Sequence, residues 1–152
     1  MTGGCSDGLK ATDIDELERQ FYSHGLFTWL GFEIEAIEPG RVVFSVPFDE
    51  AISNIVSGTL HGGITATVID TASGFALRST FDDPGSAQLT TTDLNVRYIR
   101  PARDDIRVEA TVTRAGRSMG FTESEVTTVH EGDEKIIATG GASYRLFRDP
   151  NQ

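Results

Sequence analysis

Gly58-Thr59-Leu60-His61-Gly62-Gly63-Ile64-Thr65-Ala66-Thr67-Val68-Ile69-Asp70 is the stretch on which the fold turns. It opens on a Gly-rich turn and runs into a helical pattern in which Ile64, Val68, Ala72, Phe75 and Ala76 recur at helical spacing. The spacing predicts one helix from about His61 to Phe81. A second face carries Gly63, Ala66, Thr67, Asp70, Thr71 and Gly74, small enough to let another backbone come close. Apart from Asp70 the run holds no charge before Arg78, so the helix is expected to be buried on most sides. A lone acid on such a face needs a partner or a task. The turn leaves free N–H groups at the helix start, where the dipole favours negative charge. Amide donors and a carboxylate are together the parts for attacking a carbonyl while holding its oxygen.

Working outward, the upstream chain reads as a helix capped by Thr12 or Asp13 and running to about Tyr22, with Ile14, Leu17 and Phe21 on its apolar side. The piece Leu26-Phe27-Thr28-Trp29-Leu30 lies between Gly25 and Gly31, with Phe27 and Trp29 expected in the core or in a pocket wall. Phe32 to Glu35 and Val42, Phe44, Val46 alternate on either side of the turn Glu38-Pro39-Gly40, which makes a hairpin. Downstream, Asp82-Asp83-Pro84-Gly85 ends the long helix and four strand-like runs follow. In the first, Thr92, Leu94, Val96 and Tyr98 alternate with Thr91, Asp93, Asn95 and Arg97. In the last, Ile136, Ala138, Gly140, Ala142, Tyr144 and Leu146 share one side. An antiparallel sheet curled around one apolar helix satisfies this order, as would other α+β arrangements. No repeat or linker interrupts it. Residues 1–11 read as a flexible tail and 12–148 as one domain.

The chain has 152 residues, 38% apolar and 24% charged, enough for one core. Its formal net charge of −10 argues against unaided binding to nucleic acid or an anionic membrane. The single cysteine, Cys5, allows no intrachain disulfide. His24, His61 and His130 are not at metal-ligand spacing, so neither a metal nor any other cofactor is expected. No apolar run reaches the roughly 20 residues of a membrane span, and the start lacks a signal-peptide pattern; the expected location is cytoplasmic.

Asn54, then Gly58-Thr59-Leu60-His61-Gly62-Gly63, then Asp70, then Thr91-Thr92-Asp93-Leu94-Asn95-Val96-Arg97-Tyr98-Ile99-Arg100-Pro101-Ala102: in this order the chain resembles the hotdog-fold acyl-CoA thioesterases. It is most similar to the branch of the phenylacetate-pathway thioesterase. The resemblance covers roughly Leu26 to Leu146 and implies an α+β hotdog fold, an antiparallel sheet wrapped around one long central helix. It implies hydrolysis of an acyl-CoA, aromatic or medium- to long-chain, to free acid and coenzyme A, with coenzyme A as part of the substrate and no separate cofactor. It assigns Asp70 as the acid that activates water or attacks the thioester. Gly62 would give its backbone N–H to the thioester oxygen, with Gly63 beside it in substrate binding. His61 and Asn54 would shape that end, and Thr91 would position the water. For the phosphates of coenzyme A, Arg114, Arg117 and Ser118 stand around a tight turn at Ala115-Gly116, and Arg100 is a second candidate. Two other functions keep the same fold: a non-catalytic acyl-CoA sensor, which would need no acid, and an acyl-thioester hydratase or dehydratase.

The spacing adds an inference of its own. Gly62 and Asp70 are eight residues apart, about 12 Å along a helix axis. A carboxylate that far along cannot serve a carbonyl held at its own helix start. In a two-fold dimer with antiparallel helices, Gly62 of one chain would face Asp70 of the other. A homodimer with shared sites is therefore expected, and a dimer of dimers beyond it.

Overall fold

The structure is a computed structural model that describes residues 9–148; the expected tail lies mostly outside those residues, as does Cys5. Helix α1 spans Ala11–Ser23. It begins slightly before the expected caps: Lys10 is the cap, and Asp13 accepts its N–H at 3.2 Å. Leu17 and Phe21 are fully buried on α1, as the stripe predicts. The apolar piece after it is a short helix, α2 (Gly25–Leu30), closed by Gly31 at φ +73°, a left-handed conformation that glycine adopts without strain.

Strands β1 (Glu33–Glu38) and β2 (Arg41–Val46) form the expected hairpin. The central helix α3 runs Gly62–Arg78, three residues short of the predicted end. Its last carbonyls are met by hydroxyls instead: Ser79 Oγ donates to Ala76 and Thr80 Oγ1 to Leu77, each at 2.6 Å. Four long strands follow, β3 (Gln88–Tyr98), β4 (Ile106–Ala115), β5 (Met119–His130) and β6 (Asp133–Phe147). They complete one antiparallel sheet of six strands in the order β1-β2-β4-β5-β6-β3.

The sheet wraps α3, the arrangement the resemblance implies. The helix turns Val68, Ile69, Ala72, Ser73, Ala76 and Leu77 inward, a face rotated slightly from the predicted one, so Ile69 and Leu77 join the core. Gly63, Ala66, Thr67, Asp70 and Thr71 are left on the side the sheet does not cover. Beneath the helix, Thr122 Oγ1 lies 2.7 Å from Ser73 Oγ, which satisfies buried hydroxyls inside an otherwise apolar core. Helices α1 and α2 seal the other flank with aromatic rings. Phe21 packs 4.7 Å from Phe44 and 5.3 Å from Phe75, and Phe27 stacks on both Phe21 and Phe32. Each such ring contributes about 1.5–3 kcal/mol by leaving water.

Two expectations are corrected. Ile136 is exposed and Ile137 is buried, because β6 carries an extra residue opposite Val126/Thr127 that shifts the alternation by one. Trp29 is 65% exposed rather than part of the core or a pocket wall. Among the described residues no helix is long and apolar enough to cross a membrane, and no group of three or more His, Cys, Asp or Glu is placed to hold a metal.

Candidate active site

The start of α3 is built by three side chains. His61 caps the helix, and its Nδ1 accepts the Gly63 N–H at 2.9 Å. That bond fixes the imidazole and puts the ring proton on Nε2 when the ring is neutral. It also occupies the Gly63 amide. The Gly62 N–H, one of the helix's orphan donors, has no acceptor among the described residues. Tyr98 on β3 donates its hydroxyl to the Gly62 carbonyl at 2.5 Å and so pins this turn to the sheet. A Cβ on Gly62 would stand 3.3 Å from that hydroxyl, so glycine is what lets the tyrosine come so near.

Asn54 fastens the preceding loop. Its Nδ2 donates to Thr59 Oγ1 at 2.9 Å and to the Leu60 carbonyl at 3.3 Å. Asn54, Gly62, Tyr98 and Arg100 line one cavity of about 360 Å³.

Asp70 sits two turns further along and lines a different cavity, of about 510 Å³. Its Oδ1 accepts from Thr91 Oγ1 at 2.8 Å and from Tyr144 Oη at 2.6 Å. Tyr144 Oη also lies 2.6 Å from the Asp70 backbone carbonyl. Both side-chain donors therefore load one carboxylate oxygen and leave Oδ2 for chemistry. Burial pushes the Tyr144 phenol well above its ordinary value of 10.0, and the bond to Asp70 pushes the same way. Tyr144 is thus a proton donor to Asp70 throughout the physiological range. Phe27, Phe75 and Leu89 give this cavity apolar walls, and His24 and Arg78 also line it. Phe27 and Phe75 are thus the phenylalanines on this cavity; Phe32 is buried beneath the α1–α2 flank and Trp29 faces outward.

The structure thus joins Thr91 to Asp70 and groups Asn54 with Gly62, but keeps the two sets in separate cavities of one chain. Arg100 belongs to the Gly62 set. Arg114, Arg117 and Ser118 line neither cavity; they stand on the β4–β5 hairpin, where Met119 pairs with Arg145 and Gly120 with Tyr144. The turn therefore flanks the Asp70 set. Sequence reading missed Tyr144 and Tyr98 as site residues. For Tyr144 the one available signal was a tyrosine on the inward side of a strand, since a buried phenol needs a hydrogen-bond partner, though not which partner; Tyr98 is exposed and gave no such signal.

Comparison with known proteins gives the family. A sequence model described as Thioesterase superfamily matches residues 57–135, which hold the Gly-rich turn, Asp70 and Thr91. A candidate esterase of Halobacterium salinarum is 38% identical over 148 residues, covering 93% of this chain and 98% of its own. Acyl-coenzyme A thioesterase 13 of Homo sapiens is 36% identical over 104 residues, covering 67% of this chain and 70% of its own. A thioesterase family protein from Silicibacter pomeroyi superposes with a TM-score of 0.84 at 28% identity, over 90% of this chain and 99% of that one. With the sheet-wrapped helix, the Gly-rich start and the lone helical acid all falling inside the matched region, the chain belongs to the thioesterase superfamily and has its hotdog fold.

Proposed function

We propose that the protein hydrolyses acyl-CoA thioesters at sites shared between two copies of the chain. The observation that carries this is the division of the machinery. An unoccupied amide at the positive end of α3 lines one cavity, and a carboxylate with one loaded oxygen lines the other. Acyl-CoA thioesterase activity named for the human relative supports the substrate class.

Two-fold pairing brings the two halves together. β3 forms one edge of the sheet, is 11 residues long, and is exposed along most of its length. An uncovered edge of that length is a template for a second strand. Leu94 and Tyr98 on β3, and Ile55 and Val56 in the loop after Asn54, are large apolar side chains left exposed in the single chain. Antiparallel pairing of β3 with its copy would cover them and set the small face of α3 against its twin, with Gly62 facing Asp70 of the partner subunit.

In that arrangement the thioester oxygen lies at the Gly62 N–H. One such donor lowers the barrier by about 2.7–4 kcal/mol as charge builds on the oxygen. Asp70 Oδ2 takes a proton from water as the water oxygen bonds to the carbonyl carbon. The carbon–sulfur bond then breaks and the proton passes to the departing thiolate, giving acid and thiol. Direct attack by Asp70 would form an anhydride that itself needs hydrolysis, whereas the water route uses one carboxylate for both proton transfers. Thr91 and Tyr144 hold that carboxylate. Asn54 and His61 shape the amide end, with Gly63 spent on holding His61. Arg100, Arg114, Arg117 and Ser118 are the residues proposed to meet the phosphates of coenzyme A, Arg100 from the Gly62 cavity and the other three from the β4–β5 hairpin. Sedimentation of the native protein reads the dimer, and any dimer of dimers, directly.

The test is thiol release from a panel of acyl-CoAs, followed with a thiol-reactive dye. Asp70→Asn is expected to lower kcat by about 10²–10⁴-fold while the variant keeps its fold by circular dichroism. Undiminished release from that variant refutes the assignment. Tight binding without release by the wild type points to a sensor, and change in enoyl absorbance without release points to a hydratase.

A further inference from the structure

The cavity that holds Asp70 also holds a cation that the hydrolysis does not use. Arg78 lies in the last turn of α3, two turns beyond Asp70, and lines the same space. Its Nη1 donates to the Ala87 carbonyl at 2.9 Å, and its guanidinium carbon lies 5.8 Å from the centre of the Phe75 ring. No carboxylate among the described residues pairs with it. The group is half-buried, and loss of water draws its affinity for the proton below the ordinary arginine value. Removing a guanidinium from water without a counter-charge is unfavourable, and arginine in such a place is the residue that grips a planar anion with two parallel N–H bonds.

Between Arg78 and Asp70 the cavity wall is apolar. Phe27, Phe75 and Leu89 supply it, and Gly74 opens it opposite the Tyr144 hydroxyl. Arg78 and Asp70 are about 12 Å apart along the helix axis; both side chains lean toward the helix start, and the longer arginine reaches further back than the aspartate, which shortens the gap that a ligand must span. The space therefore has a reacting end, an apolar middle and a cationic far end.

We propose that Arg78 reads the far end of the acyl group, and that the preferred substrates are short- to medium-chain acyl thioesters whose chain ends in a carboxylate. This rests on the thioesterase function proposed above. The methylenes lie against the aromatic wall, the terminal carboxylate pairs with the guanidinium, and the thioester carbon is left near Asp70. Arg78 is a specificity residue and takes no part in proton transfer.

The experiment measures kcat/KM for pairs of acyl-CoAs of equal carbon number, one ending in a methyl group and one in a carboxylate. Wild-type protein, Arg78→Met and Arg78→Lys are compared. The wild type is expected to favour the carboxylate member by about tenfold or more, as a desolvated guanidinium–carboxylate pair does. In Arg78→Met the ratio inverts, and Arg78→Lys, which keeps the charge without the fork, falls between them. A wild type that prefers the methyl-ended member overturns the proposal, whether or not the methionine variant folds. So does an Arg78→Met protein in which both members lose equally. A shift of Arg78→Met from dimer to monomer also overturns it, because the guanidinium would then serve a partner's carboxylate. Failure of the wild type to release thiol from any member defeats the parent function, a result distinct from release without preference.

Discussion

Asp70 owes its chemistry to neighbours that stand far from it in the chain. Thr91 and Tyr144 both donate to Oδ1, so the carboxylate plane is fixed and Oδ2 is left without a side-chain donor among the described residues. Removing the phenol hydroxyl in Tyr144→Phe takes away a hydrogen bond to a charged group, worth about 1.5–3 kcal/mol. The expected result is a kcat about 10- to 100-fold lower with KM changed much less, measured on one acyl-CoA; an equal rise in KM would instead mark Tyr144 as a wall of the pocket. The same residue sets a pH dependence. Burial raises its pKa in the fold, so the unfolded chain releases the phenolic proton first as pH climbs past the ordinary 10.0. The fold is then at its full stability below that value and loses some above it. Urea unfolding from about pH 9 to about pH 11 should show this decline in the wild type and a shallower one in Tyr144→Phe. Of these three residues, Asp70 is legible in the sequence because an acid in an uncharged helical run is anomalous, and Thr91 only through the resemblance to the thioesterases, since its strand alternation alone gives it no role. Tyr144 is not, because alternation gives it the same inward side as Ala142 and Leu146 and says nothing of what it faces.

At the scale of elements, the helix and most strands follow from period and turn chemistry, and the departures have local causes. The bulge in β6 is invisible to an alternation rule, so Ile136 and Ile137 exchange places. The rotation of the buried face of α3 follows from a sheet that contacts the helix with β2 through β6, a tertiary preference no window of sequence contains. Gly140 and Gly141 do have a sequence signature, two glycines inside a strand. Their reason appears only in three dimensions. A Cβ on Gly140 would meet the Asn95 carbonyl of β3, and one on Gly141 the Thr122 carbonyl of β5. Both neighbours are backbone and cannot swing aside, so this is where β6 lets the strands on both sides close in as the sheet curls over α3. Gly140→Ala and Gly141→Ala should each destabilise the fold by about 2–3 kcal/mol, read as a lower urea midpoint with an unchanged slope. An alanine at Gly132, whose Cβ would meet nothing but whose φ is +83°, isolates backbone strain alone and should cost less, about 1 kcal/mol.

For the whole molecule, the sequence contains one strong hint of assembly, the eight-residue separation of Gly62 and Asp70, and the structure bears on it by giving the two residues separate cavities. Whether β3 pairs with a copy is beyond any single-chain pattern, since an edge strand and an inner strand share one alternation. The shared-site arrangement makes a prediction that no within-chain site can imitate. Proline is well suited to the first position of a helix, where the missing N–H breaks no helical bond. Gly62→Pro therefore removes the oxyanion donor while keeping the helix start, with the Tyr98 hydroxyl, 3.3 Å from the added Cβ, yielding by a few tenths of an ångström. Gly62→Pro and Asp70→Asn proteins should each be nearly inactive alone. Unfolded together and refolded as a mixture, half of the dimers carry one chain of each kind. In every such dimer one site has lost both of its groups, and the other has an intact Gly62 from one chain and an intact Asp70 from its partner. Activity should then return to about one quarter of the wild-type value per chain. If both groups acted within one polypeptide, every site in the mixture would lack one of them, and mixing would restore nothing.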